Sequence, residues 1–118
     1  MLAQLVWVDI PVIELDRAIH FYQRILNCKL RKMNSTSAVA EHPSKQAGFS
    51  LFINKSETPS QQGPIIYLAV NQDISNAVLL VKSTGGKVIR DVHTINPFGK
   101  RAIIIDSEGN RLALHQSL

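Results

Sequence analysis

The stretch Arg101-Ala102-Ile103-Ile104-Ile105-Asp106-Ser107-Glu108-Gly109-Asn110-Arg111-Leu112-Ala113-Leu114-His115 reads as a β-hairpin. Both arms are rich in Ile, Leu and Ala. Between them Gly109 tolerates a positive φ, and Asp106 and Asn110 carry side chains that bond to nearby backbone, which is turn chemistry. Side chains alternate along a strand, so Leu112 and Leu114 face one side of the sheet while Arg111, Ala113 and His115 face the other. The leucine side is core. The other side, small and then polar, borders a space, and the hairpin alone leaves open whether that space holds a metal, a substrate or water.

The elements upstream follow from periodicity. Leu5–Ile10, with Trp7 and two valines, reads as a strand that Pro11 ends. From Leu15 the apolar positions Leu15, Ala18, Ile19, Tyr22, Ile25 and Leu26 recur every three or four residues, while Asp16, Arg17, His20, Gln23 and Arg24 fall opposite. An amphipathic helix is expected there, with Glu14 and Asp16 at the positive end of its dipole. Cys28–Met33 and Thr36–Glu41 read as strands around an Asn34-Ser35 turn, His42–Gln46 as a loop, and Gly48–Ile53 as a further strand. Lys55–Gly63 is polar and aperiodic, a linker. The order then returns: strand Ile65–Val70, a helix capped by Asp73 with Ile74, Ala77, Val78 and Val81 on one face, and a stop at Gly85-Gly86. Strand Lys87–Val92, a loop with Asn96-Pro97-Phe98-Gly99, and the hairpin finish the chain. A shift of 59 residues sets Ala18 on Ala77, and a shift of 58 sets Trp7 on Ile65. The chain is thus an internal duplication of a strand, helix, three-strand unit.

At 118 residues there is room for one domain with one core. An apolar share of 45% speaks against disorder, and no run approaches the ~18 continuous apolar residues of a membrane span. The 13 Lys and Arg that give a net charge of +4 are scattered, with no basic run and no interleaved aromatics, so neither nucleic acid nor membrane is an expected partner. Met1–Ile13 is broken by Gln4, Asp9 and Pro11 and lacks a basic leader, which reads as strand rather than signal peptide. A soluble, cytoplasmic protein is expected. The single cysteine, Cys28, excludes an internal disulfide and a cysteine-based zinc cluster, and reads as a small apolar residue at a strand start.

Val12-Ile13-Glu14-Leu15-Asp16-Arg17-Ala18-Ile19-His20-Phe21-Tyr22, followed by Ile25-Leu26, resembles the first helix of the vicinal oxygen chelate superfamily, with its A-x-x-F-Y-x-x-x-L pattern. That group contains glyoxalase, bleomycin-resistance proteins and extradiol dioxygenases. Phe98-Gly99 and Asp106–His115 resemble its closing hairpin, and with Trp7-Val8-Asp9-Ile10-Pro11 the resemblance spans the whole chain, nearest to the glyoxalase-like branch. It implies an α+β fold of two βαβββ modules, about 1–56 and 63–118, whose curled mixed sheets surround a cleft. In the family's metal enzymes four side chains in that cleft bind a divalent ion. Carried over, their positions fall at Trp7, Ser50, Ile65 and Ala113, none of which is a metal ligand. No metal and no other cofactor is therefore expected. Of the four histidines, His20 lies on the helix's solvent face, His42 in a loop and His93 at a strand end, and only His115 shares a face with a former ligand position.

By alternation Trp7 and Asp9, Ser50 and Phe52, Ile65 and Tyr67, and Ala113 and His115 share the concave face. Val6, Val8, Leu51, Ile66, Leu68, Leu112 and Leu114 pack under the helices. Phe98 and Arg101 close over the opening. An apolar hollow with a few polar groups suits a small hydrophobic or aromatic molecule, Trp and Tyr stacking on it and a carboxylate or imidazole orienting it. The leading expectation is a metal-free binding protein, in a sequestering or resistance role. Two alternatives stay open: a lyase- or isomerase-type enzyme, using either Asp9 and His115 as an acid–base pair or a divergent metal site, and an interaction module whose cleft is filled by Trp7, Phe52 and Tyr67. The half-open sheets leave edges that a second copy would cover, so a homodimer is expected.

Overall fold

The computed structural model describes residues 3–41 and 47–118. The loop expected over His42–Gln46 lies outside them. Two four-stranded sheets carry the same topology. In the first, β1 (Trp7–Pro11) pairs parallel with β4 (Gly48–Phe52), which pairs antiparallel with β3 (Ser37–Glu41) and then β2 (Arg31–Asn34). In the second, β5 (Ile66–Ala69) pairs parallel with β8 (Arg111–Gln116), followed by β7 (Lys100–Ile105) and β6 (Lys87–Thr94). Helix α1 (Leu15–Leu26) joins β1 to β2, and α2 (Ile74–Ser83) joins β5 to β6. Both units are therefore βαβββ, as the duplication requires. The sheets are separate, and β1 and β5 are each an unpaired edge.

One apolar core joins the units. Ala18, Phe21, Tyr22 and Ile25 of α1 and Ala77 and Val81 of α2 pack with Ile10, Leu51, Ile104, Leu112 and Leu114 from the sheets. The helix termini carry orphan backbone groups that need partners. Asp73 caps α2 through the Ser75 N–H at 2.8 Å, and the Gln116 side chain accepts the Ile74 N–H at 2.8 Å. No such side chain caps α1 at its own Glu14. Instead the second unit holds α1 at both ends: Glu108 accepts the Ile13 and Glu14 N–H groups, and the Gln72 amide donates to the Arg24 and Ile25 carbonyls. Asn27 ends α1 at φ 51°, and Gly85 follows α2 at φ 99°.

Three expectations are corrected. The strand read from Cys28 begins only at Arg31, because Gln23 of α1 accepts the Leu30 N–H and keeps this segment against the helix. β6 runs on past Val92 to Thr94, its register shifts letting it follow β7 and carrying His93 into the sheet. Val6 does not lie beneath the helices: β1 starts one residue later, and Val6 is exposed.

Candidate functional site

The turn that decides the fold is also its densest polar cluster. Asp106 Oδ1 accepts three backbone N–H groups, from Glu108 at 2.9 Å and from Gly109 and Asn110 at 2.8 Å, with Gly109 at φ 109°. Asp106 Oδ2 accepts the Tyr22 hydroxyl and, at 3.0 Å, the Asn110 amide, which also donates to the Pro11 carbonyl at 2.8 Å. Burial, then the Asp106 charge and hydrogen bond, push the Tyr22 phenol well above its ordinary value. Glu108 reaches across to α1: Oε1 accepts from Ile13 N at 2.9 Å, Glu14 N at 2.8 Å and Arg17 NH2 at 3.0 Å, and Oε2 from Arg17 Nε at 2.8 Å and Ser107 Oγ at 2.7 Å. Burial works to raise the Glu108 carboxyl, but the Arg17, backbone and Ser107 hydrogen bonds outweigh it and hold the group below the usual carboxylate range. Both acids face donors of their own chain, so this cluster holds the units together rather than serving a ligand.

The surfaces turned away from the helices are more available. On the first sheet the Trp7 indole donates to Ser50 Oγ at 2.8 Å and lies over Gly48, where an added Cβ would come 2.9 Å from the ring and 2.3 Å from the Ala40 carbonyl. Asp9 sits opposite Ser50, and Phe52 opposite Pro11. On the second sheet His93, Arg101 and His115 face one another across β6, β7 and β8. Arg101 Nε donates to His93 Nε2 at 2.8 Å, and Arg101 NH1 to the Tyr67 hydroxyl. His115 Nε2 donates to the Phe98 carbonyl at 2.6 Å, its ring edge-on to Tyr67 at 6.3 Å. Ala113, between Tyr67 and Ile103 on the neighbouring strands, is wholly buried.

Three cavities lie about the sheets, the first walled largely by residues of the core or packed against it. A 550 Å³ hollow lies between the β1 and β5 edges, lined mainly by Leu5, Val8, Leu26, Phe49, Ile66 and Leu68, with Tyr67, Gly48 and Cys28 at its wall. A 360 Å³ hollow is formed by Tyr67, Ile95, Phe98 and His115. A smaller one of 160 Å³ is lined by Asp9, Asn110 and Arg111, whose buried Nε has no hydrogen-bond partner among the described residues. Asp9 and His115 thus line different cavities. Phe98 is largely exposed beside the 360 Å³ hollow, and Ile65 precedes β5 at its edge.

The family model for the Glyoxalase/Bleomycin resistance protein/Dioxygenase superfamily matches residues 4–114. The chain belongs to that superfamily. Among solved structures similar to this glyoxalase-superfamily chain is hypothetical protein SA1046 from S. aureus, at 20% identity and TM-score 0.74, covering 98% of this chain and 94% of that one. A glyoxalase/bleomycin resistance protein from Albidiferax ferrireducens T118 superposes at TM-score 0.77 with 15% identity, covering 95% and 97%. The fosfomycin resistance protein FosX from Listeria monocytogenes does so at 0.73 with 13% identity, covering 100% and 94%. At such identities the likeness is one of fold. No curated protein sequence matches the chain.

The divalent ion used by metal enzymes of the superfamily does not fit the donors found here. At the carried-over positions Ser50 Oγ already receives the Trp7 N–H, an indole N–H has no lone pair to give, and Ile65 and Ala113 offer only carbon. Among the described residues no group of three or more His, Cys, Asp or Glu is placed to hold a metal ion. Sequence reasoning missed two features of the site. His93 was placed at a strand end; the polar–apolar alternation of Asp91-Val92-His93-Thr94 was the available signal that β6 continues. Val8, Ile66 and Leu68 pack against the core as expected, but the gap between the β1 and β5 edges also leaves them half-buried at a cavity wall.

Proposed function

We propose that the chain binds a small, largely apolar molecule without a divalent ion, in the hollow between its two sheets. The 550 Å³ cavity carries this reading: its size and predominantly hydrophobic wall are those of small-molecule sites, which commonly span about 300–1,000 Å³. Trp7 does not line the cavity but lies over Gly48, which does, so the emission of this single tryptophan is expected to respond to occupancy. A sequestering or resistance role accords with the family and with the fosfomycin resistance protein among the structural neighbours. Titration with a panel of small aromatic compounds is expected to change tryptophan emission saturably, a signal absent in Trp7→Phe. Ala69→Phe, which puts a ring into the cavity wall, is expected to weaken the same ligands. A panel without any saturable response, confirmed by ligand-observed NMR, counts against the proposal.

We propose further that the protein acts as a homodimer. Leu5, Val6, Trp7, Ile65 and Tyr67 leave apolar surface exposed along the two unpaired edges, an arrangement that a second copy would cover. Light scattering is expected to give twice the 13.1 kDa chain mass. A mass of one chain at working concentration contradicts the dimer.

A further inference from the structure

The concave face of the second sheet carries an ordered polar cluster that its counterpart in the first unit lacks. Arg101 and His115 face each other across β7 and β8 as Ser37 and Phe52 do across β3 and β4. The fold therefore makes a sheet of this kind without such a cluster, and the cluster calls for another explanation. We propose that Arg101, Tyr67 and their supports form an oxyanion subsite. It takes the carboxylate, phosphonate or sulfonate group of a small molecule whose apolar body rests on Ile95 and Phe98. This rests on the small-molecule reading above and names the chemistry of one end of the ligand.

The hydrogen bonds show which donors are left. Arg101 uses Nε on His93 and NH1 on Tyr67, and NH2 has no protein partner among the described residues. The Tyr67 oxygen accepts from Arg101, so its own hydrogen is free to donate. His93 Nδ1 lies 2.8 Å from the Asp91 carbonyl, which can only accept. His93 is therefore the neutral Nδ1–H tautomer, with Nε2 bare to receive Arg101. Both partners of Arg101 are neutral, so its charge is left for something else. The acid on β6, Asp91, turns its carboxylate to the Val92 N–H at 2.7 Å.

The guanidinium also lies 6.0 Å from the Tyr67 ring centroid. Held by His93 and Tyr67, the fork loses little freedom on meeting an oxyanion, and a planar guanidinium matches two oxygens at once. Tyr67, which holds Arg101, lines the 360 Å³ hollow with His115, Ile95 and Phe98, so an anion meeting the guanidinium can lay its apolar body on Ile95 and Phe98.

Calorimetry and ligand-observed NMR with benzoate, phenylphosphonate and neutral benzamide test the subsite. Both anions are expected to bind more tightly than benzamide, with the better of the two showing whether the site prefers a planar or a tetrahedral group. Arg101→Gln is expected to weaken the anions by about 10- to 100-fold, the cost of a hydrogen bond to a charged group, and to leave benzamide unchanged. His93→Leu, which frees the guanidinium, is expected to weaken them less, and His93→Gln to restore them through its amide oxygen. If Arg101→Gln fails to fold, Tyr67→Phe carries the same expectation through loss of one donor. Benzamide binding as tightly as benzoate, or anion affinity indifferent to Arg101 and Tyr67, overturns the oxyanion subsite and leaves small-molecule binding standing. Failure of all three probes, with no Trp7 response to the wider aromatic panel, overturns both.

Discussion

Replacing Glu108 with Ala removes one carboxylate that ties the closing hairpin to the start of α1. That carboxylate is fully buried, whereas the Arg17 side chain is 45% exposed. The variant leaves two helix-entry N–H groups and the Ser107 hydroxyl without their acceptor, and returns Arg17 to water. Loss of a helix cap costs about 1–2 kcal/mol and loss of a charge-assisted hydrogen bond about 1.5–3. Because Arg17 rehydrates freely, the total stays near the low end of the ~3–5 kcal/mol seen when a buried pair is broken, at about 3 kcal/mol. For a chain of this length that lowers Tm by roughly 12 °C. Glu14→Ala removes only the exposed 3.2 Å pair to Arg17 and is expected to cost under about 0.5 kcal/mol.

The pH dependence has a definite sign. Glu108 titrates below its ordinary 4.5 in the folded protein, so its contribution is fully present above that value and is lost as pH falls through the lower, folded-state one. Urea unfolding of the wild type and Glu108→Ala should show the full gap at pH 7, narrowing below pH 4.5. A gap under about 1 kcal/mol at pH 7, or one that stays constant into acid, refutes the role given to this carboxylate.

Tyr22→Phe removes a buried donor to Asp106 and is expected to cost about 2 kcal/mol in denaturant unfolding. In the wild type, near-ultraviolet absorbance should show the Tyr22 phenol still protonated after pH passes 10, ionising only as the chain unfolds. Gly48→Ala forces a Cβ to 2.3 Å from the Ala40 carbonyl, a clash with backbone that no rotamer relieves; thermal melts should show a loss of more than about 3 kcal/mol or no folded protein. Burial raises the Cys28 thiol, so its reaction with a disulfide reagent near neutral pH is expected to be much slower in the native protein than in urea.

The duplication, both helices and the closing hairpin were legible because each rests on a local rule: spacing for α1, the Asp73 cap for α2, turn chemistry for Asp106–Asn110. What the hairpin is for was not. Asp106 and Glu108 read in the sequence only as turn residues, because their partners, Tyr22, Arg17 and the Ile13 and Glu14 N–H groups, lie more than eighty residues away and come together only through packing. Alternation puts Trp7 on a face with Ser50 and Tyr67 on a face with His115, and within each pair the side chains meet. It could not show that β1 and β5 remain apart, which makes Val8 and Ile66, packed against the core, also a cavity wall. The Arg101–His93 bond depends on the register shifts in β6, and periodicity has no access to a bulge.

Whether this cleft works without a divalent ion is decided most directly by titrating one ligand into the same protein with and without metal. Benzoate binding to protein stripped with chelator is expected to match, within about twofold, its binding to protein dialysed against zinc or manganese, with no stoichiometric ion found by elemental analysis. Binding that vanishes on stripping and returns with one ion per chain would contradict it.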